Sequence, residues 1–437
     1  MEGRFPAFYN EYTLDEQNRL LNIVVDFFGE EWLAGNSNNS VVRLWNRKDQ
    51  RATWELLSLA TALELIKPID EKWLDGQIKQ AKSHNLSESR GALFEILGFS
   101  YMVSEESSLK FARKNNPGID GYINFRNEPT INVSMKSFGL SYHELSFREG
   151  MKKIETKLCS LIKRNNLLTL SCVIDFKNYP EKKNFDEIIT HLEHKIPLFA
   201  KNFQPCYSQN ENTVVSLNFI KGYSPATGFN SYQLRGFSPL HKNEFKNLTD
   251  YLDKACANFN KHTNMTMDEL NFLYIHLHES SAIKKCQEHL ETYFTENANS
   301  PIGYILLHKA QIGWDISSVA SGSRLNHTFM VTANPQRSSS ESESKRKLPS
   351  FKVLFGNISH EDCPLILQVD GKNHHLNNVY WYQSGEIVEE ATWSQHIQSS
   401  ELLHFGPGLR RSSVLTIEGK KVFIRGKFPD DDRLEIL

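Results

Sequence analysis

Hydrophobic positions in the first part of the chain recur at the spacing of amphipathic helices. The clearest stripe consists of Leu20, Ile23, Val24, Phe27 and Phe28. Residues three and four positions apart share one face of a helix, so this pattern is typical of a helix with one buried side. The spacing predicts helices over 14–34, 53–66 and 71–82. We therefore predict a helical N-terminal region over residues 1–85, for which the pattern indicates no role.

From residue 86 the pattern alternates between helical and strand periodicity. Helices are predicted at 90–103, 143–165 and 184–200, and strands at 108–114, 119–125, 130–138, 167–176 and 213–222. Strands that alternate with crossover helices are typical of a mixed sheet with both faces covered. We therefore predict an α/β fold whose compact core extends over residues 86–222.

Three further segments follow this predicted core, and each has its own pattern. Residues 223–335 carry helical and strand-like stretches in alternation, which predicts an α/β segment that contains a βαβ unit. Residues 336–350 are polar and rich in serine, so we expect a flexible linker or loop there. Residues 351–437 alternate short strands with turns, which predicts a β-rich C-terminal module.

Composition and charge restrict the class of protein. The formal net charge over 437 residues is −2, so a nucleic-acid partner would have to be held by a local basic surface. The six cysteines are scattered without a CxxC pair, which is typical of free thiols in a reducing compartment. We expect no secretory leader, no membrane span and no ATP-driven motor, because none of their sequence patterns is visible. A soluble cytoplasmic protein is the expectation.

The most specific chemistry lies in two predicted strands joined by a short turn, with Asp120 near the start of the first strand and Lys136 in the second. A turn centred between Asn127 and Glu128 places Asp120 opposite a position near 135, beside Lys136. Because side chains alternate along a strand, Ser134 shares a face with Lys136. A carboxylate binds a hard divalent cation that activates water, and a neighbouring lysine orients that water. The hairpin therefore permits a metal-dependent phosphodiesterase site.

The wider pattern resembles the PD-(D/E)xK nuclease superfamily, which includes restriction endonucleases and Holliday-junction resolvases. Its elements are Gly91-x-x-x-Glu95 on a helix, then Asp120 after Pro-Gly-Ile, then the run Ser134-Met135-Lys136. The resemblance implies a restriction-endonuclease-like fold, whose core runs helix, three strands, helix, strand. It also implies that Asp120, Glu95 and the carbonyl of Met135 are metal ligands. Lys136 would position the nucleophilic water, and Ser134 would contact a metal-bound water.

One residue departs from the family motif. Ser134 stands where the motif carries its second acid, so another carboxylate has to complete the metal site. Glu95 on the preceding helix is one source, and Glu144 or Glu149 on the following helix are the others. The sequence does not decide among these three.

The function implied by the resemblance is Mg²⁺-dependent hydrolysis of phosphodiester bonds, with Mn²⁺ as a substitute metal. The expected substrate is double-stranded DNA, cut by an endonuclease that leaves a 5′-phosphate, in a bacterial restriction or anti-phage setting. A homodimer and a regulatory partner subunit are further expectations. Two alternatives stay open: a catalytically degenerate protein that binds nucleic acid or a partner, and a nuclease that cuts RNA.

Other signals in the sequence are weaker. His276 and His278 share a strand face, but no third metal ligand accompanies them, so core histidines are the preferred interpretation. The aromatic run at 380–382 is interpreted as core rather than as a platform for stacking bases. The predicted helix at 143–165 carries Lys153, Lys157 and Arg164 on a polar face, which is either an ordinary solvated face or a phosphate contact.

Overall fold

In the computed structural model the chain divides into two compact units. The residues that it describes are 12–47, 50–112, 118–126, 130–219, 231–262, 269–314, 323–338, 349–359, 366–369, 372–391, 400–405, 410–417, 420–427 and 434–437. The first unit consists of Met1–Gly139, Phe245–Cys363 and Arg433–Leu437, and the second of Leu140–Glu244 and Pro364–Asp432. Both combine helices with a mixed sheet, so the predicted α/β class is confirmed. Within the described residues, no helix has both the length and the apolar character to cross a membrane.

The helices begin at residues suited to that role and are numbered in chain order. They are α1 (Leu14–Phe28), α2 (Glu30–Leu33), α3 (Ser40–Asn46), α4 (Gln50–Ile66), α5 (Glu71–Ala81), α6 (Leu86–Ser100), α7 (Tyr142–Arg164), α8 (Lys182–Asn202), α9 (Lys246–His262), α10 (Ile283–Glu296) and α11 (Pro335–Ser338). Side-chain oxygens that accept a backbone N–H of the first helical turn come from Thr13, Asn39, Asp70, Asn85 and Ser141. Such caps satisfy donors that the helix itself leaves unpaired.

The strands are also numbered in chain order. They are β1 (Ser107–Phe111), β2 (Gly121–Phe125), β3 (Thr130–Phe138), β4 (Thr169–Phe176), β5 (Cys206–Gln209), β6 (Thr213–Asn218), β7 (Ser231–Pro239), β8 (Glu269–Leu277), β9 (Tyr304–Trp314), β10 (Ser323–Ala333), β11 (Asn357–Ser359), β12 (Ile366–Val369), β13 (Lys372–His375), β14 (Val379–Ala391), β15 (Ser400–Phe405), β16 (Arg410–Ile417) and β17 (Lys420–Lys427).

In the first unit the sheet has the order β1-β2-β3-β8-β9-β10-β11. Strands β1, β2 and β3 are antiparallel neighbours, whereas β3, β8 and β9 are parallel. Both faces of this sheet are covered, and because side chains alternate along a strand, neighbouring residues enter two different cores. Val133 and Tyr274 belong to a core that also contains helices α1 to α6, while Ile275 and Leu307 belong to a second core with α9 and α10.

In the second unit the sheet has the order β17-β16-β15-β14-β7-β4-β6-β5. Strands β4 and β7 are parallel, and β14 is antiparallel to β7. Helices α7 and α8 form the core of this unit together with the sheet, through residues such as Met151, Leu158 and Leu192. Helix α7 lies at the position of the helix predicted over 143–165.

The unit boundaries differ from those predicted from the sequence. The predicted core at 86–222 is divided after Gly139, because the parallel neighbour of β3 is β8 rather than β4. The described part of the predicted region 1–85 contains helices α1 to α5, but these helices share a core with β2 and β3. Periodicity reports which face of an element is buried and carries no information about which strand pairs with it. The local sequence therefore does not indicate whether β4 or β8, two apolar strands of similar length, pairs with β3.

The C-terminal segments also differ from the prediction. The predicted segment 223–335 is shared, since β7 lies in the second unit and β8 to β10 lie in the first. The predicted β-rich module over 351–437 contains strands, but β11 pairs with β10 and β14 pairs with β7. The βαβ unit formed by β8, α10 and β9 is confirmed by parallel pairing. Most of the predicted linker at 336–350 lies outside the described residues.

Candidate active site

The β2–β3 hairpin sets the position of Asp120. Gly121 pairs with Val133 in antiparallel register, and the backbone amide of Asp120 donates to the carbonyl of Val133 at 2.8 Å. This register places Asp120 opposite Ser134, one residue earlier than the position near 135 that the sequence predicts. The outcome for the site is the same, because Lys136 follows two residues later on the same face of β3.

The backbone of Met135 explains why Asp120 and Lys136 converge. Strand β2 begins at Gly121, so Met135 lies beyond the last paired residue of the hairpin. Asp120 Oδ2 accepts a hydrogen bond from the Met135 amide at 2.5 Å, and Lys136 Nζ donates to the Met135 carbonyl at 2.8 Å. The two charged side chains thus pair with both backbone groups of one residue, as buried polar backbone requires.

Ser134 links the two charged groups. Its hydroxyl donates to Asp120 Oδ2 at 3.2 Å and accepts from Lys136 Nζ at 3.1 Å, while Lys136 Nζ lies 3.6 Å from Asp120 Oδ2. Ser134 is fully buried, whereas the side chains of Asp120 and Lys136 are 19% and 24% exposed. The arrangement is therefore a fixed network with access to solvent, which differs from a solvated surface pair.

Glu95 lies in electrostatic range of this network. Glu95 belongs to α6, which packs on strands β3 and β8 of the sheet. In this contact Gly98 of α6 lies against Met135 of β3 and Tyr274 of β8. Burial raises the pKa of Glu95, the negative charge of Asp120 raises it further, and Lys136 opposes both effects. A carboxyl group with a raised pKa beside a second carboxylate and a lysine is typical of catalytic and metal sites.

Gln77 on α5 is a member of the site that the sequence reasoning missed. Its Nε2 donates to Glu95 Oε2 at 2.9 Å, and its side chain is buried, with Oε1 lacking a hydrogen-bond partner among the described residues. The sequence does hold one signal. Gln77 occupies the buried face of α5 together with Leu74 and Ile78, and a polar residue on an apolar stripe calls for an explanation.

A comparison of the chain with protein-family models, curated proteins and solved structures finds no match. Any assignment of function therefore depends on the geometry of the described residues. That geometry brings together five of the residues named from the sequence, namely Glu95, Asp120, Ser134, Met135 and Lys136. These residues lie up to 41 positions apart in the sequence, and the packing of α6 on β3 brings them together in space.

The two alternative acids have other surroundings within the second unit. Glu144 is buried at the start of α7 and forms an ion pair with Arg148, one helical turn later. Glu149 is an exposed residue of the same helix. In the first unit, Glu95 is a carboxylate that interacts electrostatically with Asp120.

The donors present suit a hard cation with few protein ligands. Among the described residues there is no group of three His, Cys, Asp or Glu side chains placed to hold a metal ion. The site offers two carboxylates and a backbone carbonyl, all oxygen donors. Mg²⁺ is commonly held by one or two carboxylates, with waters and phosphate oxygens as its other ligands. The orphaned Oε1 of Gln77 adds an acceptor that a metal-bound water can satisfy.

The weaker sequence signals resolve as structural features. His276 is buried against Phe94, and burial lowers its pKa to about 3, whereas His278 bonds locally to Ser280 at 2.8 Å. Tyr380 is buried in the core of the second unit, in agreement with the interpretation of the aromatic run as core. The polar face of α7 includes Lys157, which forms an ion pair with Glu193 of α8.

Proposed function

We propose that this chain is a Mg²⁺-dependent nuclease of the PD-(D/E)xK type that hydrolyses phosphodiester bonds in DNA. The observation that carries the proposal is the convergence of Asp120, Lys136 and Glu95 at the point where β2 begins. A structural ion pair would not require a second carboxyl group whose pKa is raised beside it. A site that binds a divalent cation does require one.

The order of elements in the first unit supports the same proposal. It runs α6, β1, β2, β3, α9 and β8, with β8 parallel to β3. This is the order helix, three strands, helix, strand expected of a restriction-endonuclease-like core. Residues 140–244 stand between β3 and α9 and belong to the second unit, which has its own core. The proposed catalytic core is therefore discontinuous in sequence.

Each residue has a role that its present contacts favour. A bound Mg²⁺ would supply Lewis acidity toward the phosphate and lower the pKa of a water ligand. Asp120 and Glu95 would be its carboxylate ligands, and the Met135 carbonyl would be the third. Lys136 would exchange its hydrogen bond to that carbonyl for contact with the attacking water and with the charge that develops on phosphate. Ser134 keeps the Asp120 carboxylate oriented.

Double-stranded DNA cut to leave a 5′-phosphate is the proposed substrate, in a restriction or anti-phage setting, which is an analogy at the level of fold. A homodimer that cuts both strands and a regulatory partner belong to the same analogy. RNA is the competing substrate, since the metal chemistry does not need the sugar 2′-hydroxyl.

A second candidate function is favoured by one observation. Ser134 is fully buried and its hydroxyl is satisfied by Asp120 and Lys136, so the motif's usual acid is replaced by a well-fitted neutral residue. A nuclease fold that has lost catalysis and binds nucleic acid would look the same at this position.

A cleavage assay separates these functions. The purified protein is incubated with plasmid DNA, linear duplex, single-stranded DNA and RNA, each with Mg²⁺, Mn²⁺ or EDTA. The variants are Asp120→Ala and, as a matched control from the exposed face of α5, Asp75→Ala. We expect metal-dependent cleavage of DNA that Asp120→Ala abolishes and Asp75→Ala retains. Binding of DNA without cleavage in any metal would support the degenerate protein, and cleavage of RNA alone would replace the substrate.

A further inference from the structure

The N-terminal helical layer contributes a buried polar contact to the site. Gln77 on α5 is 8% exposed, and its neighbours on the same helix face are the core residues Leu74 and Ile78. Its Nε2 donates to Glu95 Oε2 at 2.9 Å, and this contact joins α5 to α6 across 18 residues of sequence. No feature of the nuclease motif includes this residue.

Packing alone gives a poor account of Gln77. Its Oε1 is a buried acceptor without a hydrogen-bond partner among the described residues, and such an atom loses the solvation it would have in water. A methionine would fill nearly the same volume without that loss, because it replaces the amide by an apolar group of similar length. The amide of Gln77 is therefore better explained by its hydrogen bond to Glu95 than by the volume that it occupies in the core.

We propose that Gln77 is a positioning residue for the metal site, which fixes the Glu95 carboxylate through the hydrogen bond that its Nε2 donates. The inference rests on the proposed function, since it gives Glu95 a metal to bind. Residues that orient a metal ligand from outside the first coordination shell affect affinity by about 10- to 100-fold when replaced. Helix α5 thus belongs to the active site and is more than a cover for the sheet.

The test is a double-mutant cycle on Mn²⁺ affinity, measured by calorimetry or by the electron paramagnetic resonance signal of free Mn²⁺. The variants are Gln77→Met, Glu95→Gln and the double variant, with Gln80→Met on the same helix as the matched control. If Gln77 acts through Glu95, Gln77→Met weakens Mn²⁺ binding by about 10- to 100-fold in the wild-type background. The same substitution in the Glu95→Gln background then changes the affinity by less than about twofold.

Thermal unfolding without metal is the companion measurement, because it separates positioning from a loss of fold. We expect Gln77→Met to unfold cooperatively with a Tm near that of the wild type. Unchanged Mn²⁺ affinity in Gln77→Met, or equal weakening in both backgrounds, would overturn the role of Gln77. If Mn²⁺ binding is instead insensitive to Asp120→Ala, the proposed metal site itself fails and this inference fails with it.

Discussion

Ser134 determines the electrostatic balance of the candidate site. It lies between Asp120 and Lys136, and its hydroxyl bonds to both of them without adding charge. The site therefore holds one carboxylate from Asp120, directly before β2, and one ammonium from Lys136 on β3, with the second carboxyl group supplied by Glu95. A second acid at position 134 would place a further negative charge beside Asp120.

The first prediction concerns Ser134→Asp. The added carboxylate would be buried beside Asp120, so without metal we expect the Tm to fall by several degrees. Millimolar Mg²⁺ or Mn²⁺ should restore part of that loss, giving a larger metal-induced rise in Tm than in the wild type. Differential scanning calorimetry with and without EDTA measures both effects.

The control for this prediction is Ser108→Asp, at an exposed position of β1. It should change the Tm little and leave the response to metal as in the wild type. A Ser134→Asp variant that metal does not stabilise more than the wild type would show that no cation approaches Asp120.

At the residue scale, the sequence predicts contacts within one hairpin but not contacts that depend on how two helices pack. Asp120 and Lys136 flank a single hairpin, so the alternation of a strand suffices to bring them together. Gln77 reaches Glu95 only because α5 and α6 pack in one orientation, and periodicity does not report that angle. Glu144 looked equivalent to Glu95 in sequence, since both lie on helices that flank the hairpin.

Helix α6 depends on one glycine for its approach to the sheet. A Cβ at Gly98 would lie 2.9 Å from the Tyr274 ring and 3.1 Å from Met135 Sδ. Met135 is the residue whose backbone pairs with Asp120 and Lys136, so the packing of α6 and the geometry of the site are connected. Tyr274 is itself held by a hydrogen bond to His308 at 2.9 Å and has little freedom to retreat.

The second prediction compares Gly98→Ala with Gly91→Ala on the same helix. Overpacking at Gly98 should lower stability by about 1–3 kcal/mol and reduce Mn²⁺ affinity, because α6 must shift away from Met135. A Cβ at Gly91 meets nothing within 4 Å, so Gly91→Ala should be neutral or stabilise by up to about 1 kcal/mol. Urea unfolding measures both variants, and equal stability of the two would contradict the packing argument.

Helix α4 holds the last described segment through a buried carboxyl group. Glu55 Oε2 accepts backbone N–H bonds from Glu435, Ile436 and Leu437 at 2.8, 2.7 and 3.2 Å. Burial raises the pKa of Glu55 to about 8, against the opposing effects of Arg47 and of these backbone donors. The folded protein therefore keeps a proton on Glu55 that the unfolded chain releases near its ordinary pKa of 4.5.

The third prediction is the pH dependence that follows. A pKa raised by folding contributes stability that is complete below pH 4.5 and is lost as the pH rises through about 8. We expect the Tm to fall between about pH 5 and pH 9, and Glu55→Gln to flatten that fall. The exposed Glu64→Gln is the control, and it should keep the wild-type slope. A Glu55→Gln profile parallel to the wild type would contradict the assignment.

At the scale of the whole molecule, the sheet of the first unit contains a strand pair, β3 and β8, whose members are remote in sequence. Asn132 of β3 donates to Asn271 of β8 at 3.0 Å in the interior of the first unit, although 139 positions separate the two residues. Most of the intervening segment belongs to the second unit, which has its own core. The sequence predicted most helices and strands between residues 86 and 218 near their observed positions, but it missed β7 and β10. It also failed at this pairing, because local periodicity does not indicate which strands pair.

The fourth prediction concerns hydrogen exchange of the two units. Peptides from β3 and β8 should show matched protection, since they belong to one sheet and one core. Peptides from β4 should instead match those from β7. Exchange in which β3 follows β4 and differs from β8 would support the continuous domain at 86–222 that periodicity suggested.

The central claim is that Asp120 binds a cation while Lys136 acts on the reaction. The most direct measurement compares Asp120→Asn and Lys136→Met for Mg²⁺-dependent DNA cleavage and for Mn²⁺ affinity. We predict that Asp120→Asn loses both, by about 100-fold or more in cleavage. Lys136→Met should lose cleavage to a similar extent and keep Mn²⁺ affinity within about tenfold. Cleavage that survives either substitution, or Mn²⁺ binding that ignores Asp120, would contradict the account.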